Sequence, residues 1–482
     1  MEKERKKQKL DMLNGSIWNK LPVFALPIAA TGILEQLFNA SDIAIVGNFA
    51  QTDKTAAVAA VGANSPIIGL ILNLFIGIAL GANVVIANAI GRDDKQTVQK
   101  AVHTSMVVSV IGGVLGAELR AQVVHSAAWM CALMGVILLL FGQVFSKLIL
   151  EVMKTKEELI DGAALYLRIY FLGMPVILLY NFEAAIFRSI GETKMPLIAL
   201  TLSGILNVLL NLFFVIVLKM SVNGVATATV LANVVSAGIL YIKLIKSDKY
   251  IKVEFKKLRI DGKVFAKIMQ IGLPAGIQSA VFAVANIVIQ GAINSLGTTV
   301  IAASSAAFNI EIIAYNVMNS FSQACTTFVG QNFGANKIDR CKKTLFLCLI
   351  EDAIASGTAI LIVLITGKFL LSIFNNNPEV IEIGYTRLVI IFIAYIFSML
   401  YEVMSGYLRG FGFSLVPAIL TTVGVCVLRI IWINTVFPAS RNFVTIMTAY
   451  PVSLATTAVL IFIALIIYKP SKRFANKGKE KA

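Results

Sequence analysis

A chain of 482 residues that is 58% hydrophobic and only 14% charged has too little polar surface for water, since soluble globular proteins carry about 25% charged residues. Its net charge of +16 lies in short segments between apolar runs and at the two ends, which argues against a nucleic-acid-binding domain and for contact with an anionic inner leaflet. Five cysteines are too few for a disulfide framework, and the two histidines, His103 and His125, offer no metal cluster.

The first twenty residues, MEKERKKQKLDMLNGSIWNK, are basic. The apolar run behind them is too long for a signal-peptide core and lacks a small-residue cleavage site, so 1–20 is expected to be a cytoplasmic tail. Twelve apolar runs follow, near 21–48, 58–87, 98–150, 162–188, 194–218, 222–245, 265–294, 299–332, 341–374, 380–408, 414–437 and 443–468. Each is long enough to cross a hydrocarbon layer about 30 Å thick. A polar stretch, KLIKSDKYIKVEFKKLRIDGKVFAK (243–267), divides them. The expected organisation is a six-helix lobe over 21–245, a cytoplasmic linker over 246–264, a second six-helix lobe over 265–468 and a cytoplasmic tail over 469–482. The fold class is an all-α integral membrane protein with twelve transmembrane helices. Cys341 and Cys348, if on one helix, are about 10.5 Å apart, too far to bridge, and are read as packing residues.

Of the 42 Lys and Arg residues, 31 fall in the tails and alternate loops that share a side with the N-terminus, and 7 fall in the opposite loops. By the positive-inside rule both termini are cytoplasmic and the number of crossings is even. The halves also repeat. Pro27 and Asn39 match Pro274 and Asn286; GRDDKQTVQKAVHTS (91–105) parallels GANKIDRCKKTLFL (334–347); FRSIGETKMPLIAL (187–200) parallels LRGFGFSLVPAIL (408–420). Two six-span repeats that start on one side are parallel, and the substrate path is expected at their interface. From Gly91 to Arg188 the first half is about 22 residues longer than the match from Gly334 to Arg409. The excess lies near 116–134 and is expected to leave the parity of crossings unchanged.

The spans carry a few residues that lipid disfavours. Glu35, Asn39 and Asp42 share one face of the first helix at i, i+4 and i+7. Acids at membrane depth mark ion and substrate paths, which points to Asp42 and Glu35 as ion-coupling residues; the plain alternative for Asp42 is pairing with a neighbouring helix. Asn39, with Asn207 and Asn211 of the fifth helix, Gln278 and Asn286 of the seventh, and Glu311 and Tyr315 of the eighth, are the cavity candidates. Asn207 and Asn211 can equally hydrogen-bond across helices. Glu183 and Glu402, close to Arg188 and Arg409, read as solvated or salt-bridged positions near the inner ends.

The combination of LPIAATGILEQLFNASDIAIVG, the FRSIGETKMPL and LRGFGFSLVP pair, and AAFNIEIIAYNVMNSFSQACTTFVGQNFGA (306–335) resembles the multidrug and toxic compound extrusion (MATE) family over about residues 20–468. The resemblance implies two six-helix lobes around a central cavity and an antiporter that expels organic cations and other amphipathic compounds against inward proton or sodium flow. It places the family's first-helix aspartate on Asp42 of SDIAIVG. Where the proton-coupled branch has N-x-x-x-D in the fifth helix, this chain has Asn207 and Asn211. Where the sodium-coupled branch has acids in the seventh and tenth helices, it has Phe282 and Ser398. The coupling ion is therefore left as proton or sodium, with no bound metal beyond a transported sodium near Asp42 and no cofactor.

The expected protein is a monomeric, multi-pass transporter of a bacterial-type plasma membrane. Its partners are small amphipathic or cationic molecules and the lipid bilayer. A lipid-linked saccharide flippase of the same superfamily would want a strongly cationic cavity, and only Arg120, Arg168, Arg387 and Arg429 lie in or beside spans. A membrane-embedded enzyme would need a nucleophile–base pair or metal ligands within the spans, and the sequence offers neither.

Overall fold

The computed structural model describes residues 10–50, 54–111, 157–247, 251–254 and 260–474 except 472, with single residues between 143 and 150. The segment 116–134 lies outside the described residues. Twelve helices are described: α1 (Leu21–Phe49), α2 (Lys54–Gly91), α3 (Lys95–Ile111), α4 (Glu157–Ser189), α5 (Lys194–Val217), α6 (Val222–Ile245), α7 (Gly262–Asn294), α8 (Thr298–Gly334), α9 (Ile338–Phe374), α10 (Pro378–Gly410), α11 (Leu415–Ala439) and α12 (Phe443–Tyr468). Eleven of them are long and apolar enough to cross a membrane, and no strand occurs among the described residues. Large apolar side chains stand exposed in mid-helix, among them Ile365, Phe369 and Ile393. A water-soluble monomer does not present such a surface, and lipid is its natural solvent.

The helices pack as two compact units. One holds the described residues up to Ile33, Ala87–Asp93 and the chain from Gln270 onward; the other holds Leu34–Ile86 and Asp94–Met269. Pairing within them follows one pattern. In the second unit α4 packs on α3 and α6, and α5 on α6; in the first, α10 packs on α9 and α12, and α11 on α12.

The core of the first unit runs from Ile289 and Ile310 through Ile391 to Met447 and Ile461. Residues 10–20 are tied to the same unit. Met12 and Ile17 are buried with Phe24, Phe321, Phe328, Cys325, Cys341 and Cys348. Lys337 Nζ donates to the Leu13 carbonyl and to Asn14 Oδ1, both at 2.9 Å. Arg340 spreads its guanidinium over the carbonyls of Met12, Asn14 and Gly15.

In the second unit the end of the linker is pinned to α3. The Glu254 N–H donates to His103 Nε2 (3.1 Å) and the Asp261 N–H to Thr104 Oγ1 (3.1 Å). Asp261 Oδ1 in turn accepts the Val264 N–H at the start of α7, and its Oδ2 lies 3.1 Å from Lys100 Nζ. That backbone N–H, with Lys100 beside it, holds the Asp261 carboxyl below the usual carboxylate range.

Candidate functional site

The second unit gathers a polar constellation where α1, α5 and α6 meet. Gly204 of α5 lies against the ring of Phe38 so closely that a Cβ there would collide with it. The same two helix faces carry Asp42 one turn on from Phe38, and Asn207 and Asn211 one and two turns on from Gly204. Asp42 and Asn211 lie seven and six residues before the C-terminal ends of α1 and α5, and Thr229 lies seven residues after the start of α6, about 10 Å in each case at 1.5 Å per residue. They meet at one depth.

Asp42 is 5% exposed, and its two oxygens have different partners. Asn211 Nδ2 donates to Oδ1 at 2.6 Å, and Thr229 Oγ1 lies 3.1 Å from Oδ2. Asn211 Nδ2 also reaches Asn207 Oδ1 (3.1 Å), and Asn207 Nδ2 donates to Thr229 Oγ1 (3.3 Å). Asn211 is fully buried, and its Oδ1 has no hydrogen-bond partner among the described residues. The α5 helix widens into a π turn over Phe213–Val217, immediately beyond this pair; such turns often mark functional positions. The arrangement offers one carboxylate, two amide oxygens and a hydroxyl, a donor set for a proton or a small hard cation.

The other first-helix candidates do not join it. Glu35 and Asn39 are exposed, although they share the helix face with Asp42. Glu35 lies instead in the field of Arg188. Thr229 is the partner that sequence reasoning missed. A threonine in an apolar helix carries no signal of its own until α6 is known to pack on α5.

The remaining cavity candidates, Gln278, Asn286, Glu311 and Tyr315, belong to the first unit, and two separate groups form there. Glu311 is ion-paired: Arg387 gives Nη2 (2.8 Å) and Nε (3.1 Å) to Oε2, while the Tyr395 hydroxyl donates to Oε1 (2.9 Å). Gly384 explains the closeness, because a Cβ there would stand 3.2 Å from the Ala303 carbonyl; one turn further on, Arg387 Nη1 donates to Ser304 Oγ at 2.6 Å. Tyr315 points to a different place, in the field of Glu402 and Arg409, and Gln278 Oε1 accepts from Arg409 Nη2 at 2.9 Å. Asn286 is exposed. Glu183 is fully buried, with neither carboxylate oxygen hydrogen-bonded among the described residues, and Glu402 is 5% exposed. Neither is solvated, the first of the two readings the sequence offered; of the second, pairing with a nearby arginine, Glu402 keeps the trace, since it lies in the field of Arg409. No group of three or more His, Cys, Asp or Glu side chains able to hold a metal occurs among the described residues.

A bundle of lipid-facing helices with hydrogen-bonded acids and amides at membrane depth defines a polytopic membrane transporter. The MatE family profile matches residues 27–119, 110–213 and 274–433, and the chain belongs to that family. The protein of Bacillus subtilis (strain 168) called "Probable multidrug resistance protein YoeA" is 24% identical over 458 residues, which cover 93% of each chain. The Thermotoga maritima "Probable multidrug resistance protein NorM" is 24% identical over 421 residues, 86% of this chain and 84% of that one. A solved structure described as the outward-facing conformation of a multidrug resistance MATE family transporter of the MOP superfamily superposes with a TM-score of 0.83 at 17% identity. It covers 98% of this chain and 99% of that chain, and at that identity it speaks for the fold alone.

Proposed function

We propose that this protein is an ion-coupled exporter of small amphipathic molecules, organic cations among them, working in a bacterial-type plasma membrane with both termini cytoplasmic. Family membership and the naming of its relatives as multidrug resistance proteins support the export of drugs. The observation that carries the coupling is Asp42, the buried carboxylate held by Asn211 and Thr229. An ionised carboxylate attracts a cation, and protonation removes that attraction. One acid can therefore bind the coupling ion and the substrate's charge in turn but not together, which is the requirement for antiport. The unpartnered Oδ1 of Asn211 and Oδ1 of Asn207 stand ready as further oxygen ligands or as a path for a proton.

Asp42→Asn keeps the shape and removes the charge. In inside-out vesicles matched for transporter amount, gradient-driven uptake of ethidium is expected to fall to background in this variant. Wild-type uptake in Asp42→Asn would make the residue structural glue. Uptake that ignores both proton and sodium gradients in the wild type would overturn the coupling itself.

A further inference from the structure

The first unit carries a second basic group that exchange at Asp42 does not use. Arg387 is neutralised by Glu311. Arg429 is not. It lies ten residues before the end of α11 and is 5% exposed. Its Nε donates to Ser453 Oγ of α12 at 2.9 Å, and its guanidinium carbon stands 3.9 Å from the centre of the Tyr450 ring. Arg387 stands 6.0 Å from the same ring. Among the described residues no carboxylate comes within ion-pair distance of Arg429, and its two terminal nitrogens have no hydrogen-bond partner. Glu402 lies instead in the field of Arg409. The ionised groups around Tyr450 thus sum to one positive charge inside the bundle, a costly state at membrane depth.

The local backbone is built for this placement. Helix α11 widens into a π turn over Thr422–Val427, ending two residues before Arg429. Gly424 within that turn lets α11 approach α12, since a Cβ there would lie 2.3 Å from Thr457 Oγ1. About one turn further along each helix, Arg429 meets Ser453. Serine and ring fix the inner edge of the guanidinium and leave its planar two-nitrogen fork unused. Such a fork matches the two oxygens of a carboxylate, sulfonate or phosphate.

We propose that Arg429 is a substrate-binding residue that receives the acidic group of an amphipathic anion or zwitterion, with Ser453 and Tyr450 positioning it. This deepens the exporter reading by adding anionic amphiphiles to the cargo, and rests on that reading only for the movement of the ligand. The test is equilibrium binding to the full chain in phosphatidylcholine nanodiscs, with 8-anilinonaphthalene-1-sulfonate as the anion, ethidium as the cation and empty nanodiscs subtracted. Arg429→Gln is expected to weaken anion binding about tenfold or more and to leave ethidium binding unchanged; Arg429→Lys, which keeps the charge and loses the fork, is expected between the two. Wild-type affinity for the anion in Arg429→Gln would overturn the proposal.

A second measurement needs no variant to fold. In the wild type the anion, but not ethidium, should slow modification of Arg429 by phenylglyoxal, mapped by mass spectrometry, and equal rates would also overturn it. Adding phosphatidylglycerol to the nanodiscs separates the two sources of the acidic group. Loss of the Arg429-dependent binding identifies a lipid headgroup as a competitor, and retention identifies the soluble amphiphile; both results support the anion site. Arg429-dependent binding without gradient-driven transport in vesicles would retire the exporter reading and keep the site.

Discussion

Each oxygen of Asp42 answers to a different helix, Oδ1 to α5 and Oδ2 to α6, so a change of charge at this one residue is felt on both. Asp261 shows the same logic outside the membrane, where the pH dependence has a definite sign. Its carboxyl is held below the usual range by the Val264 N–H and by Lys100. A depressed carboxyl contributes stability that is present above its unfolded value, about 3.9, and is lost as pH falls through the folded one. The contribution of Asp261 to the clasp should therefore be unchanged from pH 8 to pH 5 and be lost only below about pH 4. Asp261→Asn should loosen it at pH 7. Because Asp261 and Lys100 are partly exposed, the effect is modest, below about 1 kcal/mol, and is read as a severalfold faster tryptic cleavage within 243–267 of the purified protein. No change in cleavage would mean that His103 and Thr104 hold the linker without the carboxylate. Asp42 was legible as an acid where lipid disfavours one. That its neighbours Glu35 and Asn39 stay exposed was not legible, because periodicity assigns a face to a residue but not a partner.

At the scale of helices, glycines decide which faces meet. Gly91 and Gly334 occupy matching positions in the two repeats, and each ends its helix against the other's. A Cβ on Gly91 would lie 2.0 Å from the Gln331 carbonyl, and one on Gly334 would lie 2.1 Å from that of Asn88. Both obstacles are backbone, so neither can swing aside. Gly334→Ala is expected to cost about 1–3 kcal/mol, the usual range for overpacking, seen as a lower unfolding temperature in detergent. Gly291, on α7, is the control: nothing lies within 4 Å of a Cβ placed there. Gly291→Ala should be neutral or stabilise by about 0.5–1 kcal/mol through helix propensity. Equal behaviour of the two variants would show that the crossing of α2 and α8 tolerates separation. The sequence alignment paired these two glycines as equivalents. It gave no sign that they touch, since equivalence in a repeat and contact are different relations.

Across the whole molecule the repeat was legible because duplicated helices keep their punctuation, such as Pro196 with Pro417 and Arg188 with Arg409. What the duplication conceals is divergence of charge. YLRIYFLG (166–173) parallels YTRLVIIF (385–392) and so matches Arg168 with Arg387, yet the first is exposed and the second is buried against Glu311. Partner choice depends on side chains from other helices, which no single stretch records. By the same global reasoning we propose that the linker is cytoplasmic. Nine Lys and Arg residues lie in 243–267, and moving such a segment across a bilayer opposes both the membrane potential and the anionic inner leaflet. The cysteines at 325, 341, 348 and 426 are buried, but they and Cys131 should first be replaced by alanine or serine so that labelling has a single origin. In that background Ser247→Cys should resist an impermeant maleimide added to intact cells and react once the membrane is opened. Lys219, between α5 and α6, lies one crossing away on the opposite side by the same count, so Lys219→Cys should label in intact cells. Labelling at 247 but not at 219 in intact cells would reverse every loop between α1 and α12, and equal labelling at both positions would mean that α6 does not cross.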